Sequence, residues 1–306
     1  MLLLELSKEN LELSREEVEA IAKQKGQPLQ NFLVFKENFA YERLGYTKRA
    51  FEVLFSCKEE ELEATIKKYD FPFKGSFAVE KIGKSSFALN QLADLVWKQF
   101  KNPKVDLKNP KNKIFFVFTG KVFCCRLLWS NKENFEMRKS HKRPEPHPTS
   151  LHPRLARALV NLADSREILD PFCGSGGILI EAGLLGLKTI GYDLDQIMLN
   201  RARINLDHYG IKKYKLEKKD ATKIKGTVSA IVTDLPYGKN SKAGDLEKLY
   251  LDFLKNAEKM TKKIIVVFPS FIDNKKLVMK TRWKIKKEFN HYLHKSLSKK
   301  ILLLDI

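Results

Sequence analysis

The sequence is poor in cysteine. Its 306 residues include four, at positions 57, 124, 125 and 173, and none of them forms a Cys-x-x-Cys pair. A disulfide framework or a zinc knuckle is therefore not expected, and the composition fits a reducing cytoplasm, where we expect the protein to be located. No metal site is expected either, because His141, His147 and His152 have no Cys or acidic partner at ligand spacing.

Long apolar runs are also missing. No uninterrupted hydrophobic stretch is long enough to span a bilayer. The start, Met1-Leu-Leu-Leu-Glu-Leu, is too short for the apolar region of a signal sequence and carries Glu5 within it. We therefore expect no membrane-embedded segment.

Acidic residues are outnumbered. Asp and Glu total 37 against 57 Lys and Arg, which gives a formal net charge of +20. An excess of this size has no role in holding a fold, but it raises affinity for polyanions and steers their association. Nucleic acid is therefore the expected partner, and a membrane surface is the weaker alternative.

Three glycines crowd a turn in the middle of the chain. Ile168-Leu-Asp-Pro-Phe-Cys-Gly-Ser-Gly-Gly177 predicts a strand that enters a tight turn, and the apolar run from Ile178 to Leu185 predicts a helix after it. Glycine lets the backbone approach a ligand closely because it carries no Cβ. The dinucleotide fingerprint is incomplete, since its third glycine position is Leu179. The turn therefore predicts a ligand other than a pyrophosphate.

Acidic residues stand at the ends of neighbouring predicted strands. Asp170 precedes the glycine turn, where a carboxylate can accept a hydrogen bond from a cation such as the amino-acid end of S-adenosylmethionine. Asp193 ends the next predicted strand, at about the 20-residue spacing expected for an acid that binds a ribose diol. Asp220 follows the short run from Tyr214 to Glu217 and is placed to meet an adenine edge. Together these residues predict a nucleoside site.

A further buried strand, Ala230 to Asp234, ends in Asp234-Leu-Pro-Tyr237. With the three strands before it, this motif resembles the class I S-adenosylmethionine methyltransferases that methylate an exocyclic amine of a base through Asp/Asn-Pro-Pro-Tyr. The first Pro of that motif is Leu235 here. The change keeps the main-chain carbonyl and is expected to loosen the turn.

The chemistry explains these residue types. An exocyclic amine is a poor nucleophile because its lone pair is delocalised into the ring. A carboxylate from Asp234 and the main-chain carbonyl of Leu235 or Pro236 can accept its two N–H groups and turn the lone pair toward the sulfonium methyl. Tyr237 can stack on a base that has been flipped out. Enzymes that act on adenine also use an Asp here, so the motif alone does not choose the base.

The resemblance also implies the other residues of the site. Ser150 is a candidate for the methionine carboxylate on this ground alone. The predicted catalytic residues are Asp234, Leu235, Pro236 and Tyr237. The predicted cofactor-binding residues are Ser150, Asp170, Phe172, Cys173, Gly174, Ser175, Gly176, Asp193, Leu194, Asp220, Ala221 and Asp234.

The chain is long enough for about two domains with sizeable cores. Residues 1–74 alternate short strands with helices, including one that Ser14 and Glu17 would open as a capping box, and predict an N-terminal α+β ferredoxin-like domain. Residues 75–130, with the phrase Lys104-Val-Asp-Leu-Lys-Asn-Pro110, resemble the THUMP domain of RNA-modifying enzymes, a module associated with the 3′ end of tRNA.

Two further segments complete the chain. Residues 131–148 predict an extended, stiff linker because Pro144, Pro146 and Pro148 alternate. Residues 149–306 contain all the methyltransferase strands and a closing strand pair, and predict a doubly wound, Rossmann-like α/β domain.

The whole combination resembles the archaeal and eukaryotic tRNA guanosine-10 N2-methyltransferases. This implies methyl transfer from S-adenosylmethionine to the exocyclic N2 of a guanosine in tRNA, bound through its acceptor stem, 3′ end and D-arm region. Three alternatives stay open: the related guanosine-6 enzyme, an adenine-N6 nucleic-acid methyltransferase, and a non-catalytic RNA-binding protein. The sequence does not determine the number of methyl groups added, the oligomeric state or the need for an activating partner subunit.

Overall fold

The structure is a computed structural model that describes residues 1–148, 150–237, 243–294 and 297–306. Thr149, where the catalytic domain is predicted to begin, and Gly238, which follows the Asp234 motif, lie outside those ranges. The chain forms two compact units. The first comprises Met1–Leu11, Gln24–Glu42 and Thr47–Lys132, and the second comprises Glu12–Lys23, Arg43–Tyr46 and Glu133–Ile306.

The elements follow the predicted order closely. Up to residue 130 they are β1 (Leu2–Leu6), α1 (Leu11–Ala22), β2 (Gln27–Leu29), β3 (Phe32–Phe35), β4 (Thr47–Cys57), α2 (Leu62–Lys68), β5 (Phe77–Ile82), α3 (Leu89–Trp97), β6 (Asn112–Phe118) and β7 (Val122–Ser130). After it they are α4 (Pro153–Ala163), β8 (Glu167–Asp170), α5 (Gly177–Leu184), β9 (Lys188–Asp193), α6 (Gln196–His208), β10 (Tyr214–Lys218), β11 (Ala230–Asp234), α7 (Ala243–Ala257), β12 (Lys263–Pro269), α8 (Asn274–Val278), β13 (Lys284–His294) and β14 (Leu297–Asp305). None of the helices in the described ranges has the length and apolar character needed to cross a membrane.

The first unit is built on one sheet with strand order β2-β3-β1-β4-β7-β6-β5. Its strands pair antiparallel except for β5 and β6, which are parallel and are connected through α3. Leu92 and Val96 of α3 pack with Phe77 on one face of the sheet. Cys124 and Cys125, successive residues of β7, belong to two different cores, as the alternation of side chains along a strand predicts.

The predicted boundary at residue 74 does not separate two compact units in the structure. The antiparallel ladder between β4 and β7 runs from Arg49 opposite Ser130 to Cys57 opposite Val122. Backbone bonds therefore join strands from both predicted domains in one sheet, and residues 47–132 form a continuous part of the first unit. The assignment of residues 75–130 to a THUMP domain remains a prediction.

Helix α1 differs from its prediction in both start and role. It begins before Ser14, so Ser14 lies inside the helix and does not cap it. The carboxylate of Glu17 accepts hydrogen bonds from the backbone N–H of Gly45 at 2.7 Å and from Asn161 Nδ2 at 2.7 Å. Burial raises the pKa of Glu17, and these donors oppose that rise. With Leu13 in the core around α4, these bonds make α1 a part of the second unit.

Residues 131–148 were predicted as a linker, and in the structure residues 133–148 of that segment belong to the second unit. Arg138 Nε donates to Glu181 Oε1 at 2.7 Å, and the Glu181 side chain is completely buried in α5. Asn205 of α6 accepts from the backbone N–H of Glu145 at 3.0 Å and donates to its carbonyl at 2.9 Å. These polar contacts attach the proline-containing segment to other elements of the second unit.

The second unit has the strand order β10-β9-β8-β11-β12-β14-β13. Strands β10, β9, β8, β11 and β12 are parallel, and β14 lies antiparallel between β12 and β13. Helices α4 and α5 contribute to one core and α7 to another. The winding reverses at β8, because β9 lies on one side of it and β11 on the other. Ligands of doubly wound sheets bind beyond the carboxyl ends of the strands at such a point.

Candidate active site

The glycine turn joins the end of β8 to the start of α5. Gly174 and Gly176 have φ angles of +49° and +85°, in the left-handed region that favours glycine. A Cβ placed on Gly174 would meet no atom within 4 Å, so the backbone there is open to a neighbouring ligand. A Cβ on Gly176 would lie 3.3 Å from the Cβ of Ala202 in α6. Gly174 therefore leaves room for a ligand beside the backbone, whereas Gly176 allows the start of α5 to pack against α6.

Asp193 fastens the glycine turn to β9. Its Oδ2 accepts a hydrogen bond from the backbone N–H of Gly174 at 2.9 Å, and its Oδ1 accepts one from Asp195 at 2.9 Å. The residues meet although 19 positions separate Gly174 from Asp193, because adjacent parallel strands end at the same edge of the sheet. The predicted alignment of these strand ends is present in the structure.

Asp170 lies deeper than the other acidic residues of the site. Only 2% of it is exposed, and its Oδ1 accepts hydrogen bonds from Thr233 Oγ1 at 2.7 Å and from the backbone N–H of Phe172 at 3.2 Å. Burial raises the pKa of Asp170 to about 7, although the bonds from Thr233 and Phe172 oppose the rise. Its charge therefore changes within the physiological pH range.

Asp220 follows β10, and its pKa is shifted in the opposite direction to that of Asp170. The hydroxyl and the backbone N–H of Thr222 donate to its Oδ1 at 2.7 and 2.9 Å. With Lys223 Nζ at 3.2 Å from Oδ2, these donors hold the pKa of Asp220 below its ordinary value. Asp220 is therefore a charged hydrogen-bond acceptor.

Asp234 ends β11 and is paired with a buried cation. Lys299 Nζ, from β14, donates to Asp234 Oδ2 at 2.5 Å, and Lys299 is only 1% exposed. The other oxygen, Oδ1, is buried and has no hydrogen-bond partner among the described residues. Burial raises the pKa of Asp234 to about 6, whereas the charge and hydrogen bond of Lys299 lower it. A buried carboxylate oxygen without a donor is costly, so this atom retains capacity for a donor from a substrate.

Leu235 does not loosen the turn, contrary to the expectation from the motif. Its side chain is fully buried and its backbone N–H donates to the carbonyl of Val267 in β12 at 3.0 Å. Proline has no N–H and could not make this bond. The next carbonyl, that of Pro236, accepts a hydrogen bond from the hydroxyl of Tyr250 in α7 at 2.5 Å. The segment after β11 is therefore fixed from two sides.

Ser150 and Cys173 lie at the helical side of the site. Ser150 Oγ is 3.2 Å from Ser175 Oγ, next to the N-terminus of α5. The thiol of Cys173 is buried, and burial raises its pKa well above the ordinary value, as expected for a packing residue. Within the described ranges no group of three or more His, Cys, Asp or Glu is placed to hold a metal ion.

The carboxyl ends of β8, β9, β10 and β11 and the residues that follow them border one cleft of about 430 Å³. The predicted residues that line it are Ser150, Asp170, Phe172, Cys173, Gly174, Ser175, Asp193, Leu194, Asp220, Ala221, Asp234, Leu235, Pro236 and Tyr237. Gly176 was also predicted but does not line the cleft, because it faces α6.

Several residues at the site were not predicted from the sequence. His147 lines the cleft and comes from the segment that was interpreted as a linker, and Gly177, the last residue of the predicted glycine turn, lines it as well. Lys299 and Tyr250 hold the Asp234 segment from elements far along the chain. The sequence had placed the last strand at Lys300 to Leu304, whereas β14 begins three residues earlier, at Leu297. The last strand carries apolar residues on both faces, so a lysine within it was the sequence feature that could have indicated a buried cation at Lys299.

Comparisons with known proteins find methyltransferase relatives of this chain. A family model described as an RMKL-like methyltransferase domain matches residues 140–299, and one described as a DNA methylase matches residues 10–203. The tRNA (guanine(10)-N2)-dimethyltransferase of Methanothermobacter thermautotrophicus is 34% identical over 98% of this chain and 98% of its own length. The tRNA (guanine(6)-N2)-methyltransferase of Archaeoglobus fulgidus is 24% identical over 73% of this chain and 70% of its own.

A solved structure shares the fold. The crystal structure of TrmN from Thermus thermophilus superimposes with a TM-score of 0.54 over 99% of both chains, at 20% sequence identity. The strand order, the cleft at the carboxyl ends of β8 and β11, and the near full-length match at 34% identity lead to one conclusion. This chain belongs to the methyltransferases with an RMKL-like domain and, among them, to the tRNA (guanine(10)-N2)-dimethyltransferase family.

Proposed function

We propose that this protein transfers methyl groups from S-adenosylmethionine to the exocyclic N2 of guanosine 10 in cytoplasmic tRNA. The observation that carries the proposal is that the Asp234 motif borders the same cleft as Gly174 and Asp193. The name of the full-length relative supports the choice of base and position. The DNA-methylase match ends at residue 203, before Asp234, so it gives no support for an adenine substrate through that motif.

The nucleoside half of S-adenosylmethionine fits the strand ends. Asp193 keeps acceptor capacity for a ribose diol beyond the bonds that it makes to two backbone N–H groups, because a carboxylate has about four acceptor sites. Asp220, held in its charged form, can accept the amino group of adenine. Leu194 and Ala221 line the cleft beside these residues and offer apolar contact to the ring.

The amino-acid half fits the opposite wall of the cleft. Asp170 offers a carboxylate to the cationic groups, and Ser150 together with the N-terminus of α5 offers donors to the methionine carboxylate. The open backbone at Gly174 leaves room between these two ends. When bound, the cofactor supplies an electrophilic methyl group on its sulfonium.

Asp234 receives the amine in this proposal. Its carboxylate accepts one N–H of the guanine amine, and the main-chain carbonyl of Leu235 or Pro236 accepts the other, which directs the lone pair at the methyl group. Tyr237 stacks on the extruded base. As the new N–C bond replaces the C–S bond of the donor, the amine proton passes to Asp234 and from there to solvent. A monomethylated amine keeps one N–H, which the same carboxylate can hold, so the arrangement supports a second transfer and hence dimethylation.

We place the docking of the tRNA acceptor stem and 3′ end on the first unit, in accordance with the THUMP resemblance, and the D-arm region at the cleft. The excess positive charge of the chain supports binding to a polyanion. Lys104 and Lys108, in the phrase that carries the resemblance, are both exposed.

The direct test is mass spectrometry of tRNA fragments after incubation with labelled cofactor. We expect two methyl groups on N2 of guanosine 10, and a transcript with adenosine at position 10 should gain no label. A transcript with adenosine at position 6 is the matched control and should be labelled normally. Label that disappears from the position-6 transcript instead would assign the protein to the guanosine-6 reaction, and label on adenine would reject guanine as the substrate.

A separate test addresses the docking site. Residues 12–23 and 43–46 belong to the second unit, so deletion of the first 130 residues would damage that unit. The double substitution Lys104→Glu, Lys108→Glu should instead weaken tRNA binding at least tenfold and leave cofactor binding unchanged. Lys67→Glu, Lys68→Glu, on exposed positions of α2, is the control with the same charge change. Equal loss in both pairs would show that net charge, and not the THUMP-like segment, governs docking.

A further inference from the structure

One ammonium group lies between the two side chains that the proposed function assigns to the substrate. Lys299 Nζ is 2.5 Å from Asp234 Oδ2 and 4.8 Å from the centroid of the Tyr237 ring. A cation at this distance from an aromatic ring is attracted to it. One side chain of β14 therefore restrains both the proposed hydrogen-bond acceptor and the proposed stacking ring.

The position of this ion pair is unusual for a purely structural contact. A buried ion pair contributes little net stability, because desolvation of the two charges offsets their attraction. Lys299 lies opposite Pro269 in the ladder between β14 and β12, and its side chain reaches Asp234 at the end of β11. Ile301 and Leu302, which follow it along β14, are fully buried and apolar. The strand thus carries its buried cation beside Asp234, which itself lines the cleft.

Lys299 itself is not a lining residue of the cleft, among those that the structure describes, whereas Asp234 and Tyr237 are. It therefore acts on a substrate through those two side chains. We propose that Lys299 is a positioning residue for methyl transfer, which keeps Asp234 an oriented, charged acceptor and holds Tyr237 beside it. This inference rests on the proposed function, because it concerns the amine-holding side of the same site.

The electrostatic surroundings give Lys299 this role. The titratable groups that face Asp234 from the described elements are Lys299 in β14, Asp170 at the end of β8, Tyr250 in α7 and the adjoining Tyr237. Lys299 is the cation of this set. Even with it present, burial raises the pKa of Asp234 to about 6, so loss of its charge should raise that pKa further. A protonated carboxyl group has one acceptor fewer and cannot draw the amine proton as well.

The experiment compares single-turnover methyl transfer to tRNA between pH 5.5 and 9 in four proteins. The wild-type rate should rise with a midpoint near the pKa of Asp234. Lys299→Gln, which keeps a donor but loses the charge, should shift the midpoint upward by at least one pH unit, so that the rate at pH 7 falls about twofold or more while the rate at pH 9 stays close to that of the wild type. Lys299→Arg should restore the wild-type midpoint. Lys300→Gln, at the neighbouring position on the same strand, should behave as wild type.

A second readout does not depend on activity. The carboxyl carbon of Asp234, followed by NMR with labelled aspartate and assigned with Asp234→Asn, should titrate at higher pH in Lys299→Gln than in wild type. An unchanged titration, or a rate lowered equally at every pH, would overturn the positioning role. Absence of transfer to tRNA by the wild-type protein would instead reject the proposed function while the titration still tested the ion pair.

Folding of the charge-loss variant is tested with a partner substitution. If Lys299→Gln unfolds, the double variant Lys299→Gln, Asp234→Asn should regain a cooperative thermal transition close to that of the wild type, because no unpaired buried charge remains. Recovery would show that Lys299 serves the charged state of Asp234. Failure of the double variant to fold would make Lys299 a structural residue and overturn the proposal.

Discussion

The two sides of the cleft are built in different ways. On the side proposed to bind the cofactor, Asp193 is held by backbone N–H groups, and Gly174 lies in an open, left-handed turn four residues after the end of β8. On the side proposed to bind the substrate amine, Asp234 accepts a hydrogen bond from Lys299 of β14. The carbonyl of Pro236 accepts one from the hydroxyl of Tyr250. One side therefore depends on backbone donors at neighbouring strand ends, and the other depends on side chains from β14 and α7.

Because of this difference, we expect cofactor binding and the rate of methyl transfer to depend on different sides of the cleft. A backbone turn can be predicted from a local sequence motif. It should keep its conformation when a side chain on the opposite side of the cleft is replaced. A buried ion pair responds to any change in either partner, since removal of one charge leaves the other uncompensated. Substitutions on the two sides should therefore affect different measured quantities.

The largest effect is expected for Asp234→Asn. Loss of the charged acceptor should lower the rate of methyl transfer by about 10²- to 10³-fold, because the electrostatic alignment of the amine is lost. The dissociation constant for S-adenosylmethionine, measured by calorimetry, should change less than about threefold. Equal losses in rate and in cofactor affinity would erase the distinction between the two sides.

A smaller effect, on the affinity for the cofactor, is expected for Asp193→Ala. The change removes the acceptor for Gly174 and Asp195 together with the proposed ribose contact, so the cofactor dissociation constant should rise about 30- to 100-fold. At saturating cofactor the transfer rate should recover to near the wild-type value. Asp207→Ala, an exposed acid on α6, is the control, and unchanged affinity in Asp193→Ala would remove the ribose assignment.

Cofactor affinity should also depend on pH through Asp170. Because burial raises the pKa of Asp170 to about 7, this group is mostly neutral at pH 6 and mostly charged at pH 8. A cationic ligand favours the charged form, so affinity should increase about tenfold from pH 6 to pH 8 and then level off. Calorimetric titrations across this range test the dependence, which should vanish in Asp170→Asn. A dependence that persists in that variant must arise from another group.

The smallest effect on chemistry is expected for Leu235→Pro, which restores the usual motif. The change removes the bond from Leu235 to Val267 and should lower the free energy of unfolding by about 1 kcal/mol or more, measured by urea denaturation. The transfer rate should stay within about threefold, because the carbonyls of the segment remain. A rate increase of tenfold or more would show that leucine at position 235 slows methyl transfer in the wild-type protein.

Sequence reasoning was most successful where neighbouring residues carried the information. The strands of both units, the helix after the glycine turn and the carboxyl-end position of the predicted acids follow from apolar patterning and glycine placement. It was least successful for segments whose polar groups bond to distant residues. Arg138 and Glu145 look like solvated linker residues until Glu181 and Asn205 are seen beside them.

The amino-acid sequence alone determined the doubly wound second unit, the cofactor turn and the motif that ends in Tyr237, because strand periodicity, glycine conformation and strand-end acids are local properties. Only the tertiary structure decided that α1 and residues 133–148 belong to the second unit, that Leu235 is fixed by the sheet, and that Lys299 lies behind Asp234. These outcomes depend on which distant groups meet once the chain is packed. Buried charges and backbone donors are satisfied by whatever partner the fold brings near, and spacing along the chain does not specify that partner.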